Sequence, residues 1–293
     1  MISRRHLLAA VPALLILLSN LCGACASGSG QGAAAHSAAP VALTGPDGSG
    51  STGAVLDPGV PPGKNFSLSL WELQEPVGSP GSPTTIGNAA LESGFHDRYF
   101  YTDPADGAMT FWDPEDGVTT ANSSYPRSEL RELNANGTAA NWPVAGTNVL
   151  SATVAIVTVP DHVCIGQIHV GAAIQRGLAA SRKPLLELYS YASGDIVAGV
   201  ERDPIQGTQV DTTVANMPLG TKFRYEIALT GDGAGRGTIA ITVGTARSTF
   251  PMPSGFVGYG LYFKAGDYDQ TVGTDPTVGA VVKFYALDVA HRP

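Results

Sequence analysis

Residues 257–270 read VGYGLYFKAGDYDQ, and this stretch decides how the rest of the chain is interpreted. Its first half, Val257–Phe263, is rich in apolar and aromatic residues and predicts a β-strand. Successive side chains of a strand point to opposite faces of a sheet. We therefore expect Tyr262 and Lys264 on one face, with the apolar residues between and before them on the other.

A polar segment follows this predicted strand. We expect the strand to break at Ala265 and Gly266, and Asp267–Gln270 to form a polar rim that bears an aromatic residue. From residue 262 to residue 270 there are a lysine, two tyrosines, two aspartates and a glutamine. This mixture is too polar for a core and too aromatic for an ordinary turn. It indicates either a binding site or a surface hairpin with solvated charges.

The remainder of residues 64–293 repeats the strand-like pattern. Short apolar runs, the first predicted at Phe66–Leu73, are separated by Gly, Pro, Asp and Asn, and polar and apolar residues strictly alternate in KFRYEI at 222–227. A weak helical pattern is present only near Asn88–Glu92. So many short strands in one domain predict an all-β fold of two packed antiparallel sheets, a β-sandwich or jelly roll.

The first 26 residues have the pattern of an export signal. Arg4 and Arg5 precede an apolar run, Leu7–Leu21, that is too short and too early for a membrane span. The small residues at 23–26 favour cleavage after residue 26, and Cys25 offers an alternative, a lipid anchor at the cell surface. We therefore expect a secreted, extracellular protein, either free or tethered through this cysteine.

Two further segments follow the predicted signal. Residues 27–63 are mainly Gly, Ala, Ser and Pro, and such a segment buries too little apolar surface to offset its ordering entropy. We expect a disordered linker there, and one folded domain over residues 64–293. That length is ordinary for a single all-β domain.

Charge and cysteine content exclude several classes of protein. The chain has 17 Lys and Arg against 25 Asp and Glu, a formal net charge of -8, which argues against nucleic acid as a partner. Cys164 is the one cysteine after the predicted signal, so no internal disulfide is expected, and its apolar neighbours predict a buried thiol. No spacing of His and Cys suggests a zinc site. We expect a monomer without metal or cofactor.

Two polar patterns lie on other predicted strands. In RSELR, alternation places Arg127, Glu129 and Arg131 on one face, with the two arginines about 13 Å apart. Such a row suits a face that binds carboxylates, with the glutamate holding the guanidinium groups in place, although a solvated ion network is the commoner meaning. In GQIHV, Gln167 and His169 share a face. A lone histidine on a strand is usually structural, and the nearby glutamine favours a site.

Three motifs occur in order along the chain: RSELR at 127–131, QIH at 167–169 and YFKAGDYDQ at 262–270. Together they resemble the signature of alginate lyases of polysaccharide lyase family 7. The resemblance runs from the strand around Trp71 to the end of the chain. It implies a concanavalin-like β-jelly roll in which one concave sheet forms an open cleft. The substrate implied is an anionic polysaccharide, alginate or a related polyuronate.

The sequence departs from this family pattern in one place. Asp269 stands where the family often has asparagine, and Asp267 adds a second acid nearby. Two extra carboxylates beside a polyanion site are expected to weaken or redirect substrate binding.

The resemblance also implies a chemistry, β-elimination on a 1,4-linked polyuronate. Arg127 and Gln167 match the residues that neutralise the substrate carboxylate, His169 matches the base and Tyr268 the acid. We expect cations near Tyr268, with Arg131 and Lys264 as candidates, to lower its pKa. The residues expected to bind substrate are Glu129, Arg131, Tyr262, Lys264 and Gln270.

Substrate preference and two alternatives complete the prediction. In the family, Ile between the Gln and the His, here Ile168, tends to accompany activity on guluronate-containing blocks, so guluronate or mixed blocks are expected. A lyase for another polyuronate such as glucuronan, or a non-catalytic carbohydrate-binding jelly roll, would share much of the pattern. A glycoside hydrolase would need a run such as Glu-x-Asp-x-x-Glu, which the sequence lacks.

Overall fold

The alternating sequence pattern folds into two antiparallel sheets packed face to face. The computed structural model describes residues 55–293. One sheet, called the cleft sheet below, consists of β1 (Trp71–Ser79), β2 (Ser82–Ile86), β5 (Ser128–Glu132), β7 (His162–Ala173), β8 (Pro184–Tyr191), β9 (Asp195–Glu201), β10 (Gln209–Asn216) and β14 (Tyr259–Asp269). Its strand order is β10-β9-β8-β7-β14-β5-β1-β2.

The second sheet, called the outer sheet, has seven strands. They are β3 (Phe100–Thr102), β4 (Met109–Pro114), β6 (Ala145–Thr158), β11 (Phe223–Asp232), β12 (Gly237–Val243), β13 (Ala246–Pro251) and β15 (Gly279–Arg292). Their order is β13-β12-β11-β6-β15-β4-β3. Two helices, α1 (Pro62–Asn65) and α2 (Asn88–Ser93), and a single 3-10 turn, Ser254–Phe256, complete the described chain. No helix in this range is long and apolar enough to cross a membrane.

The core lies between the sheets and fixes which side chains face the cleft. Leu130, Ile168 and Phe263 are fully buried in it. Because side chains alternate along a strand, their neighbours on β5, β7 and β14 point to the opposite face of the cleft sheet. Burial of each such apolar side chain contributes about 1.5–3 kcal/mol, so a one-residue slip of register would be costly.

The all-β jelly-roll prediction is confirmed, and so is the helical pattern near Asn88. Two strands, β2 and β10, were not predicted. Both are edge strands of the cleft sheet and are largely exposed, so they lack the apolar alternation on which the prediction depends. Cys164 is fully buried, as predicted.

The start of the folded region differs from the prediction. The first strand begins at Trp71, so the strand predicted over Phe66–Leu73 is wrong in its first half. Leu56 packs against the core and Pro62 is buried at the start of α1, so the predicted linker boundary at residue 63 is too late. The predicted export signal, and the linker up to residue 54, lie outside the described residues.

The predicted break at Ala265 and Gly266 is a bulge within a continuous strand. β14 runs on to Asp269 and carries one extra residue relative to β7, while its pairing with β5 stays regular. Gly266 has a φ of 150°, and a Cβ at this position would lie 2.8 Å from the Cα of Glu129. Glycine is therefore required at this position, where a side chain on β14 would collide with the backbone of β5.

Continuation of the strand places Asp267 and Asp269 away from the cleft. Both are fully buried beside Asp113 of the outer sheet, whose carboxylate accepts the backbone N–H of Asp269 at 3.0 Å. Burial raises the pKa of Asp267 well above its usual value and that of Asp269 to about 6. The prediction that these acids disturb substrate binding is wrong, because they face the core.

Candidate active site

A cavity of about 450 Å³ opens on the face of the cleft sheet that points away from the core. Strands β1, β2, β5, β7, β8 and β14 and two loops contribute to its walls. Seven of the nine predicted site residues line it: Arg127, Arg131, Gln167, His169, Tyr262, Lys264 and Tyr268. The strands that were predicted separately therefore meet at one place.

Strand register explains why these side chains converge. Arg131 of β5 is paired with Lys264 of β14, which is paired with Gln167 of β7, and this glutamine is paired with Glu187 of β8. With strands about 4.8 Å apart, the four residues form a polar row about 14 Å long across the cleft. Cations occupy one end of this row and a carboxylate the other.

Glu129 is the buried acceptor that organises the cationic end. Its side chain is fully buried beneath the cleft and accepts hydrogen bonds from Arg127 Nη1 at 3.4 Å and Gln167 Nε2 at 2.5 Å. The Nζ of Lys264 forms an ion pair with the same carboxylate. The structure thus places Glu129 below the cleft floor rather than on its wall, where it holds three cleft side chains in position.

Tyr268 packs against a different cation from the ones predicted. The guanidinium of Arg127 lies over its ring, 3.7 Å from the centroid, whereas Arg131 lies over Tyr262 at 4.1 Å. The Nζ of Lys264 is 5.9 Å from the Tyr268 ring. Burial raises the pKa of Tyr268 despite the opposing effects of Arg127 and of a hydrogen bond to Ser123, so the predicted lowering is wrong. At neutral pH this phenol is protonated.

His169 is held as a neutral imidazole. Its ring stacks on Tyr262, and its Nδ1 lies 3.0 Å from the backbone carbonyl of Val170. That carbonyl can only accept a hydrogen bond, so Nδ1 carries the proton and Nε2 keeps a free lone pair. Burial, followed by the positive charge of Lys264, lowers the pKa of His169 to about 3. The protein therefore presents an unprotonated imidazole over the whole neutral range.

Gln270 lies outside the group that the structure brings together. Its side chain does not line the cavity, and its Nε2 donates to the backbone carbonyl of Tyr268 at 3.2 Å. Its predicted contact with substrate is therefore not supported by its position. It braces the chain on the C-terminal side of the tyrosine instead.

Sequence reasoning missed Glu187, which lines the cavity on β8. Its Oε2 accepts hydrogen bonds from the hydroxyl of Tyr189 at 2.7 Å and from Nε2 of Gln209 at 3.0 Å. Burial raises its pKa. The one available signal was a single glutamate inside the apolar run LLELY at 185–189, which is too weak alone to indicate a site.

Two loops that were not predicted also contribute to the site. Ser123 lines the cavity beside Tyr268, and Asn122 accepts a hydrogen bond from Arg182 of the loop before β8. The cavity is therefore bordered by side chains that come from segments without periodic patterning. Among residues 55–293 no group of three or more His, Cys, Asp or Glu side chains is arranged to hold a metal ion.

Lys264 gives the site a testable pH dependence. Burial and the charge of Arg127 lower its pKa to about 8, with Glu129 acting in the opposite direction. The ammonium is therefore charged below pH 8 and neutral above it, so the KM for a polyanion should rise as the pH passes 8. Lys264→Arg should keep KM flat over this range, because arginine stays protonated.

Measurement of KM against pH for the parent and Lys264→Arg checks this expectation. Lys222→Arg is a matched control, because Lys222 lies over the Tyr285 ring and does not line the cavity. It should follow the parent. The same alkaline rise in the parent and in Lys264→Arg would show that another group is responsible.

A jelly roll with a cationic cleft that also holds a neutral histidine and a protonated tyrosine defines a class, the carbohydrate-active enzymes that act on acidic polysaccharides. Residues 66–291 match the family model described as alginate lyase. The chain therefore belongs to the alginate lyase family, polysaccharide lyase family 7, and is a polysaccharide lyase.

Relatives support this assignment in sequence and in structure. An alginate lyase from Klebsiella pneumoniae is 27% identical over an alignment of 287 residues, and the match covers 78% of this chain and 91% of the relative. The family 7 alginate lyase A1-II', solved in complex with substrate, is 34% identical with a TM-score of 0.68, covering 79% of this chain and 97% of that one. An alginate lyase structure from Pseudomonas aeruginosa is 32% identical with a TM-score of 0.68, covering 77% and 99%.

Proposed function

We propose that this chain is an exported enzyme that cleaves alginate by β-elimination, with a preference for guluronate or mixed blocks. The observation that carries the proposal is the convergence of Arg127, Gln167, His169 and Tyr268 on one cleft. A relative provides further support. The A1-II' structure that holds a substrate carries two substitutions, His→Asn and Tyr→Phe. The replaced types, histidine and tyrosine, are those found here at the proposed base and acid positions.

The first requirement of the reaction is to neutralise the substrate carboxylate. The C5 proton of a uronate is a poor acid while the adjacent carboxylate is charged, and the intermediate resembles an enolate. Arg127 supplies a guanidinium, and Gln167 supplies an amide whose NH₂ group has two hydrogens, only one of which is donated to Glu129. Together they provide the charge and the hydrogen bond that this intermediate needs.

The second requirement is a pair of proton transfers. His169 takes the C5 proton on Nε2, the electron pair forms the C4–C5 double bond, the C4–O4 bond breaks, and Tyr268 gives its proton to O4. In guluronate the C5 proton and O4 lie on opposite sides of the ring, so two separate groups are required. The neutral imidazole and the protonated phenol are each already in the form that its step needs.

The same protonation states disfavour mannuronate. In mannuronate the C5 proton and O4 lie on the same side of the ring, and Tyr268 would have to act as base as well as acid. An ordinary tyrosine with a pKa near 10 is ionised in only about one part in a thousand at pH 7, a deficit of about 4 kcal/mol. Burial raises the pKa of Tyr268 above even this value. Polymannuronate should therefore be the slower substrate.

Ile168 influences this preference only indirectly. Its side chain is fully buried in the core, so it acts on Gln167 and His169 through packing. Differences of one methylene in a pocket are worth about 1–3 kcal/mol. A preference for guluronate is therefore expected, without exclusivity.

His169→Ala, assayed on polyguluronate and on polymannuronate, tests the proposal. Activity on polyguluronate should collapse because the base is lost, whereas weak activity on polymannuronate should survive through Tyr268. His162→Ala is a control on the same strand, since this histidine stacks on Tyr191 and does not line the cavity. It should leave both activities near those of the parent.

Two outcomes would contradict the assignment. Equal losses on both polymers would make His169 a positioning residue rather than a base for guluronate. A parent enzyme that cleaves only polymannuronate, or only glucuronan, would refute the proposed substrate preference.

A further inference from the structure

The hydroxyl of Ser123 makes four polar contacts beside the proposed acid. It accepts hydrogen bonds from Arg127 Nη2 at 3.0 Å and from the backbone N–H of Tyr125 at 3.1 Å. It also donates to the backbone carbonyl of Tyr125 at 3.0 Å and lies 2.9 Å from the hydroxyl of Tyr268. A serine hydroxyl has two acceptor positions and one hydrogen. The two N–H groups occupy both acceptor positions.

The direction of the Ser123–Tyr268 hydrogen bond follows from this count. Tyr268 cannot donate to an oxygen whose acceptor positions are filled, so Ser123 supplies the hydrogen of the 2.9 Å contact and shares it between the Tyr268 oxygen and the Tyr125 carbonyl. The hydrogen of Tyr268 is then left over. In the part of the chain that the structure describes, no acceptor takes it. It is therefore free to point into the cavity, which Tyr268 lines.

We propose that Ser123 is a positioning residue for the acid of the elimination reaction. By donating to the phenol oxygen of Tyr268, it turns the tyrosine hydrogen toward the leaving O4 and then stabilises the phenolate that forms when this proton is transferred. The inference rests on the proposed function, in which Tyr268 is the acid. It assigns a role to a loop residue outside the three motifs that identify the family.

The electrostatics of the pair agree with this role. A hydrogen bond donated to a phenolate favours the charged form, and the one from Ser123 acts to lower the pKa of Tyr268 against the effect of burial. Arg127 adds a positive charge on the same side, because its guanidinium binds Ser123 and also lies over the Tyr268 ring. The serine therefore joins the proposed acid to the residue proposed to bind the substrate carboxylate.

The local chain geometry keeps Ser123 in place. Its backbone N–H donates to the carbonyl of Thr120 at 3.1 Å, which closes a turn between β4 and β5. Tyr125, two residues on, packs edge-on against Tyr268 with ring centroids 6.2 Å apart. In the segment SSYPR at 123–127, the first, third and fifth residues all contact the same tyrosine.

Ser123→Ala, Ser123→Thr and Ser124→Ala test the inference as a set. Ser124 is the matched control, because it is exposed and forms no side-chain hydrogen bond within the described structure. In Ser123→Ala, kcat on polyguluronate should fall about ten- to hundredfold, the effect of one hydrogen bond to a charged group. KM should change little. Threonine keeps the hydroxyl and should restore most of kcat, and Ser124→Ala should match the parent.

A second readout separates positioning from a general structural effect. Fluorotyrosine, whose phenol is more acidic than that of tyrosine, can be incorporated and titrated by ¹⁹F NMR, with Tyr268 assigned by its loss in Tyr268→Phe. The titration midpoint of residue 268 should rise in Ser123→Ala and stay at the parental value in the other two variants. Circular dichroism confirms that each variant is folded.

The inference is overturned if Ser123→Ala keeps the parental kcat, or if kcat falls while the Tyr268 midpoint stays unchanged. These failures differ from failure of the proposed function. A fully active Tyr268→Phe would remove tyrosine from the mechanism, whatever Ser123 does. An inactive Tyr268→Phe beside a fully active Ser123→Ala would refute only the role of the serine.

Discussion

Tyr268→Phe is expected to lower kcat on polyguluronate by about 10²–10⁴-fold, the usual contribution of a positioned general acid. The change removes one oxygen and leaves the ring in its contacts with Arg127 and Tyr125, so the fold and KM should be nearly unchanged. Initial rates of unsaturated uronate formation, measured over a range of substrate concentrations, separate kcat from KM.

Tyr191→Phe is the matched control for this loss. Tyr191 lies on β8 of the same sheet, stacks on His162 and does not line the cavity. It should keep the parental rate. If Tyr268→Phe retained more than about a tenth of kcat, another group would have to protonate the leaving oxygen.

Glu129→Gln is expected to have the second large effect, on stability and on activity together. The buried carboxylate accepts from Arg127, Gln167 and Lys264, and loss of its charge leaves two buried cations without a counter-ion. Breaking a buried ion pair in this way costs about 3–5 kcal/mol. The glutamine also presents an NH₂ group to Arg127 and Lys264, which can only donate hydrogen bonds. We expect the free energy of unfolding to fall by about that amount and the folded fraction to have little activity.

Denaturant unfolding of Glu129→Gln beside Glu226→Gln measures this effect. Glu226 forms a more exposed pair with Arg224 on the outer sheet, so its loss should cost no more than about 1 kcal/mol. Equal stability losses in the two variants, or a fully active Glu129→Gln, would show that the buried glutamate does not organise the site.

Period-two alternation is the reason that much of the site could be predicted. It placed Arg127, Glu129 and Arg131 on one face of their strand and Gln167 with His169 on one face of theirs. Burial of Leu130 and Ile168 in the core confirms both placements. Alternation does not predict, however, how far a side chain lies below the surface of the cleft. Glu129 shares the face of its neighbours but lies beneath them, because it is opposite Gly266, which has no side chain to fill the space.

Contacts across strands could not be predicted because they depend on register. Arg131 and Lys264 were the expected cations for Tyr268, yet the pairing of Asp267 with Ser128 brings Arg127 next to the tyrosine instead. The glycine at 266 was interpreted as a break, since glycine usually weakens a strand. Here it permits the close approach of β14 to β5, which no single-strand pattern reveals.

Site residues that lie on loops could not be predicted from the sequence for a different reason. Ser123 and Asn122 lie in a turn without periodicity, so neither its course nor its side-chain directions follow from composition. Their positions emerge only when the loop packs against strands that are distant in sequence.

The most direct test of the account counts two products in one digest of polyguluronate. New reducing ends report every chain break, and far-ultraviolet absorbance reports the C4–C5 double bond that only elimination creates. We expect one double bond for each new reducing end in the parent, with both signals lost together in Tyr268→Phe and in His169→Ala. Reducing ends that form without the absorbance would mean hydrolysis, and would contradict the roles assigned to the histidine and the tyrosine.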